Sequence, residues 1–322
     1  MGGLAPVFAN LYQLNASQTA LLVAIPVLLG SIARLPMGML TDRFGGRGVF
    51  TALLLFSAGA AAALPLAGSY QALLACAFFL GMAGSSFAIG AAFVSRWTAA
   101  DRQGTALGVY GLGTIGQSIA VFAGPVVAAA FGWEMVFRGT AVLLIVWATV
   151  FAAFARNPVH AARPPGFGAM VAVLRRSPVA WLLGAFYFLT FGGFVAFSIY
   201  LPTLLRTQFG LSPADAGFRA AGFVVLATLM RPVGGSLADR IGGAQVLSWV
   251  FGGIAIFSLL LSWSAMVPFT VGALSCAVLM GLGNGAVFKL VPDHFPRDTG
   301  TVTGLVGAMG GLGGFFPPLV LG

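Results

Sequence analysis

Long apolar runs broken by short polar segments are the dominant pattern of this sequence. Runs near or above 20 residues recur at 18–41, 48–68, 71–94, 104–130, 134–155, 179–204, 214–238, 244–265, 267–291 and 300–321. A helix needs about 20 mostly apolar residues to cross the hydrocarbon core of a bilayer, so the pattern predicts ten transmembrane helices. The two-residue alternation of a membrane-spanning barrel is missing, and Leu, Ala, Gly and Phe fill the runs continuously. The fold class is an all-α polytopic membrane protein. Composition strengthens this: 59% of the 322 residues are hydrophobic and 7% are charged, where a soluble domain carries roughly 25% charged residues.

Charge adds an orientation. The breaks TDRFGGRG, SRWTAADRQG, ARNPVHAARPPGFGAMVAVLRRSP, ADRIGG and KLVPDHFPRD hold 11 of the 16 Lys and Arg residues, and the intervening breaks hold Arg138, Arg206 and Arg219. By the positive-inside rule the first set faces the cytoplasm. Topology thus accounts for the net charge of +9, and no nucleic-acid partner is implied. Cys76 and Cys276 lie inside apolar runs without metal or redox spacing, and read as small buried hydrophobes. The opening MGGLAPVFANLYQ lacks the basic region of a cleaved signal.

The longest break carries Pro158, Pro164, Pro165 and four arginines and reads as a cytoplasmic linker, 156–178, between bundles at 1–155 and 179–322. The bundles are repeats. RLPMGMLTDRFGG, from residue 34, matches RPVGGSLADRIGG, from residue 231, at seven of 13 positions, and GTALG at 104 matches GTVTG at 300. Both DR copies fall on the same side, so the repeats are parallel and related by an axis along the membrane normal. The tract GMLTDRFGGR resembles the conserved loop between the second and third helices of the major facilitator superfamily. In that loop Gly38 permits close helix approach, Asp42 can accept from a neighbouring helix N-terminus, and Arg43 and Arg47 are expected in a cytoplasmic gate. The second copy supplies Asp239 and Arg240. Superfamily members normally have twelve helices, so the resemblance implies helices 2–6 plus the end of helix 1, then helices 7–11; the expectation is a chain lacking most of helix 1 and all of helix 12.

Two arginines, Arg34 and Arg231, lie inside spans, each eight residues before its DR aspartate. At 1.5 Å per residue that is about 12 Å into the membrane. An intramembrane arginine costs about 3 kcal/mol or more and calls for a partner. The seven acidic residues, Asp42, Asp101, Glu134, Asp215, Asp239, Asp293 and Asp298, all fall in loops or at helix ends. A substrate anion is the partner left: two planar guanidinium forks facing each other across the pseudo-two-fold suit a small planar oxyanion. The alternative is that each arginine snorkels or bonds helix carbonyls.

SFAIGAAFVSRW, RQGTALGVYGLGTIGQSIAVFAGP, YFLTFGGFVAFSIYLPTLL, GLGNGAVFKLVPDHFP and GTVTGLVGAMGGLGGFFPP resemble the nitrate/nitrite porter family over nearly the whole chain. The glycines of its paired signature motifs are here Gly111, Gly113 and Gly116, then Gly307, Gly310, Gly311, Gly313 and Gly314. Small residues at such spacing also let helix backbones touch. GLGTIG fits the dinucleotide pattern G-x-G-x-x-G, but it begins inside a span and not after a strand.

The resemblance implies that Arg34 and Arg231 bind nitrate or nitrite, that Tyr187 donates a hydrogen bond, and that Phe87 and Phe191 wall the site. Thr114 stands where family members often have asparagine; its hydroxyl can still meet an anion. Asn284 is a second polar contact or an interhelical packing bond. The resemblance further implies a monomer in a bacterial inner membrane, working by alternating access as exchanger or proton symporter. A facilitator for formate or a short carboxylate, and a non-transporting receptor or inactive fragment, are the competing readings. No cofactor or enzyme chemistry is implied, since no nucleophile, metal cluster or carboxylate pair falls in the spans.

Overall fold

The computed structural model describes residues 4–158 and 166–321, and among these no strand occurs. The helices are α1 (Ala5–Leu11), α2 (Ala16–Ile32), α3 (Arg34–Phe44), α4 (Gly46–Ala63), α5 (Tyr70–Leu80), α6 (Ser86–Trp97), α7 (Gln103–Gly111), α8 (Ile115–Phe131), α9 (Trp133–Phe154), α10 (Phe167–Arg176), α11 (Pro178–Phe209), α12 (Pro213–Ile241), α13 (Gly243–Leu260), α14 (Met266–His294) and α15 (Thr299–Leu321). Among the described residues, eight helical stretches are long and apolar enough to cross a membrane; α2 and α3 form one of them, and α5 with α6 another. The predicted spans at 104–130 and 300–321 are α7 with α8, and α15.

Local sequence explains the boundaries. Asn15 and Gln18 cap α2 reciprocally, Gln18 N donating to Asn15 Oδ1 at 2.8 Å and Asn15 N to Gln18 Oε1 at 3.0 Å. The glycine after each DR motif ends its helix: Gly45 closes α3 at φ 83° and Gly242 closes α12 at φ 91°, where a side chain would be strained. Two predicted spans are broken by tighter turns, at Gly81–Ser85 and Leu112–Thr114. Such turns interrupt the α-helical ladder and leave carbonyls for other donors.

The expected linker 156–178 contains a helix that a search for apolar runs passes over. The ten residues of α10 are half a span, yet FGAMVAVLRR buries Met170 and Leu174 on one side and carries Arg175 and Arg176 in its last turn. Residues 159–165, with His160 and Arg163, lie outside the described residues.

Large apolar side chains such as Trp147, Trp249, Leu259 and Phe154 are exposed on the helices, as suits a surface that meets lipid rather than water. The inside is packed through glycine. On the DR side α3 crosses α15 and α7 crosses α12 at backbone contact: a Cβ on Gly38 or Gly300 would overlap the other's carbonyl, and Gly235 and Gly104 repeat the arrangement. The first and second halves of the chain therefore meet twice, in pseudo-symmetric fashion, at this end. A branched side chain there must push two helices apart. Gly38→Val and Gly235→Val are each expected to destabilise the protein by about 1–3 kcal/mol, read as a lowered Tm in detergent; an unchanged Tm would refute the close crossing.

Candidate functional site

The DR end and the interior form two connected layers. At the DR end, each aspartate caps a helix of the other half. Asp42 accepts from Gly300 N at 2.9 Å, Thr301 N at 2.6 Å and Thr301 Oγ1 at 2.7 Å. Asp239 accepts from Gly104 N at 2.8 Å, Thr105 N at 2.7 Å and Thr105 Oγ1 at 2.8 Å. The amides are those of the first turns of α15 and α7, which have no partner within their helices and sit at the positive end of the helix dipole.

A cation backs each carboxylate, the half-buried Arg96 behind Asp42 and the buried Lys289 behind Asp239. Arg96 pairs with Asp42 through Nη2 and donates to Thr41 O from Nη1 at 3.2 Å. Lys289 Nζ stands 3.8 Å from Asp239 and 2.9 Å from Asp293, and donates to Ala100 O at 2.5 Å. Among the described residues, the cations expected here form no ion pair with either carboxylate. Arg43 lies over the rings of Phe44 and Phe167, at 5.6 and 4.7 Å. Arg47 donates to Ala152 O, and Arg240 lines a cleft of about 490 Å³ between α7 and α12 with Thr105, Ser236 and Asp239. Arg96, Lys289, Thr105 and Thr301 are residues the motif reading missed. The repeated GT dipeptides at 104 and 300 were the available signal for the threonines.

Two turns further in, Arg34 and Arg231 approach one ring, their Cζ atoms 5.9 and 5.4 Å from the centroid of Phe191. Neither is ion-paired with a carboxylate among the described residues. Each bonds a carbonyl of the opposite half: Arg34 Nη1 donates to Gly307 O at 2.6 Å, and Arg231 Nη1 to Gly111 O at 3.2 Å. Arg34 Nε also donates to Gly84 O, in the turn between α5 and α6, at 3.1 Å. Carbonyl bonding, the alternative to a ligand, therefore holds for much of Arg34. It fails for Arg231, which is 2% exposed and whose Nε and Nη2 have no partner.

Aromatic rings complete the chamber. Tyr187 stacks on Phe191 at 4.9 Å and meets Phe288 edge-on at 4.7 Å, and Phe288 reaches Phe87 at 4.9 Å. Phe288 thus joins the two predicted walls; it is an apolar residue beside Lys289 in GAVFKL, and the linear pattern does not single it out. Thr114 turns inward on its own helix and donates to Gly111 O at 3.0 Å, the carbonyl that Arg231 uses. Asn284 is buried on α14, and neither amide atom is hydrogen-bonded.

The signature glycines divide. Cβ atoms on Gly307 and Gly111 would lie 3.0 and 3.1 Å from the Cδ atoms of Arg34 and Arg231, and side chains at Gly310, Gly311, Gly313 and Gly314 would strike Tyr187, Ser31, Phe188 and Val195. Gly113 and Gly116 face open space, so helix packing does not account for those two.

This is a polytopic helical protein whose parallel halves close over a central cationic, aromatic chamber. Its sequence matches the Major Facilitator Superfamily over residues 1–318. It is 42% identical over 310 residues to "Nitrite extrusion protein" of Bacillus subtilis, covering 96% of this chain and 78% of that protein. It is 37% identical over 319 residues to "Probable nitrate transporter NarT" of Staphylococcus epidermidis, covering 99% and 82%. With "Probable nitrate/nitrite transporter NarK2" of Mycobacterium tuberculosis the identity is 38% over 335 residues, covering 100% and 83%. The chain belongs to the nitrate/nitrite porter family of the major facilitator superfamily. Solved structures agree on the fold: the human organic anion transporter MFSD10 superposes with a TM-score of 0.73 at 22% identity, covering 99% of this chain and 82% of that one. The transporter FucP in the outward conformation gives 0.79 at 18%, covering 99% and 86%.

Removing the charge of either capping aspartate should loosen the DR end. Hydrogen bonds to a charged group are worth about 1.5–3 kcal/mol, so Asp42→Asn and Asp239→Asn are each expected to speed maleimide labelling of a Ser236→Cys reporter in the cleft by roughly tenfold. Unchanged labelling would show that the caps do not hold the halves together.

Proposed function

We propose that this protein carries nitrate and nitrite across the bacterial cytoplasmic membrane by alternating access, with the anion held between Arg34 and Arg231. The observation that carries the reading is the chamber itself: two guanidinium groups approach one aromatic ring, and among the described residues neither has a carboxylate partner. The names of the relatives supply the substrate class.

An anion between the arginines accepts from Arg231 Nε and Nη2, which are otherwise unpaired, and Tyr187 adds a hydroxyl donor. Planar guanidinium forks match a planar oxyanion in shape as well as charge. Phe191 stacks beneath both cations and excludes water, and low polarity strengthens every charge interaction inside. Without the anion, two unit charges near one ring repel by on the order of 1 kcal/mol or more at an effective dielectric of about 20. An empty site therefore resists closure, which favours exchange of one anion for another.

The capped DR end represents the state closed toward the cytoplasm. Transport to that side parts α3 from α15 and α7 from α12, breaking the aspartate caps and the arginine bonds to the opposite half together. The glycine-lined halves then rock about the bound anion.

The test is counterflow of labelled nitrate and nitrite in proteoliposomes. Arg34→Lys and Arg231→Lys keep the charge but lose the fork, and are expected to reduce uptake at least a hundredfold; Tyr187→Phe is expected to reduce it about tenfold, by one charge-assisted hydrogen bond. Uptake that survives both lysine variants would overturn the site, and formate taken up in preference to either nitrogen oxyanion would overturn the substrate.

A further inference from the structure

Among the described residues, three side chains keep buried polar atoms without a hydrogen-bond partner: Ser57, Arg231 and Asn284. Arg231 lies in the chamber. Asn284 is 3% exposed, and both Nδ2 and Oδ1 are unpaired. A packing amide would bond a neighbouring helix, because an unsatisfied amide in a buried place is strongly disfavoured. This one bonds none.

Helix geometry tells where it faces. Residues four apart share one face of a helix, and Phe288, four residues on from Asn284, lies against both Tyr187 and Phe87. Gly285 next to it packs on α12 beside Arg231, where a Cβ would come within 2.7 Å of Gly235 N. Asn284 therefore faces the chamber one turn above Phe288, from a helix that contributes no charge at that level. Its amide offers a donor and an acceptor. An anion can use only the donor.

We propose that Asn284 forms a third polar wall of the anion site and that the site takes a hydrated oxyanion. Nδ2 donates to an anion oxygen. Oδ1 accepts from a water that is itself held by a free N–H of Arg231 and donates its other hydrogen to the anion. Every orphaned atom of the chamber is then satisfied at once, and discrimination between nitrate and nitrite falls on this amide, because a site with fixed polar groups rejects a ligand that leaves one of them unpaired. The inference rests on the anion-transport reading.

Asn284→Ala, Asn284→Leu and Asn284→Asp are compared with the unaltered protein for counterflow of nitrate and nitrite and for the Tm shift each anion produces. Loss of the donor is expected to raise KM for at least one anion on the order of tenfold and to change the nitrate-to-nitrite KM ratio. The aspartate, which keeps the acceptor but faces the anion with oxygen, is expected to be worse than alanine. The leucine is expected to raise the Tm of the anion-free protein while shrinking the anion-induced shift; a purely structural asparagine would give a lower Tm and unaltered KM values. If leucine is not recovered folded, Asn284→Val supplies the same comparison. KM values and their ratio unchanged within twofold in the variants, or an aspartate as good as asparagine, would overturn the role of Asn284 alone. If the unaltered protein neither exchanges the anions nor is stabilised by them, the transport reading falls instead.

Discussion

Each half of this chain lends a carboxylate to the other, and the rest of the interior follows from that exchange. Asp42 and Asp239 bind the bare amides at the first turns of α15 and α7, where unpaired N–H groups and the helix dipole make a negative charge welcome. Three bonds on each side draw the helices to backbone contact, which glycines, Gly38 and Gly300 on one crossing and Gly104 and Gly235 on the other, allow. Contact at the DR end in turn fixes the depth at which Arg34 meets Gly307 and Arg231 meets Gly111. The DR end and the chamber are thus one continuous set of crossings between halves.

The chamber is unequally satisfied. Arg34 has two carbonyl acceptors, whereas Arg231 has one and is more deeply buried. Buried guanidinium groups are costly unless their donors are used, and contact with Phe191 recovers only about 0.5–2 kcal/mol for each. The remaining deficit sits on Arg231 and on Asn284. In the proposed binding mode a ligand there supplies hydrogen-bond partners to groups that otherwise lack them.

Much of this was legible in the residues themselves. The apolar runs, the doubled DR motif and the two arginines eight residues before each aspartate required only spacing and charge. The internal repeat placed Arg34 and Arg231 in equivalent positions, and the structure puts both at Phe191. Other features depend on contacts that a linear pattern does not carry. Arg43 directly follows Asp42 and Arg47 lies past Gly45 in α4, yet the cation that reaches Asp42 is Arg96, from α6, because neighbours in a helix point to different sides and Arg47 is drawn to Ala152. Phe288 and the α10 helix were hidden for related reasons: one is an apolar residue in an apolar tract, and the other is too short to stand out as a span.

The cations behind the two caps differ in more than chemistry. Arg96 bonds Thr41 and Asp42, both in its own half, while Lys289 bonds its own Asp293 and also crosses to Ala100. In the proposed cycle the arginine cluster would travel intact, whereas the lysine would have to release Ala100. One seam of the interface thus carries a side-chain tether that its pseudo-symmetric counterpart lacks, so in the proposed transport cycle matched halves would part unevenly, from the untethered seam toward the tethered one.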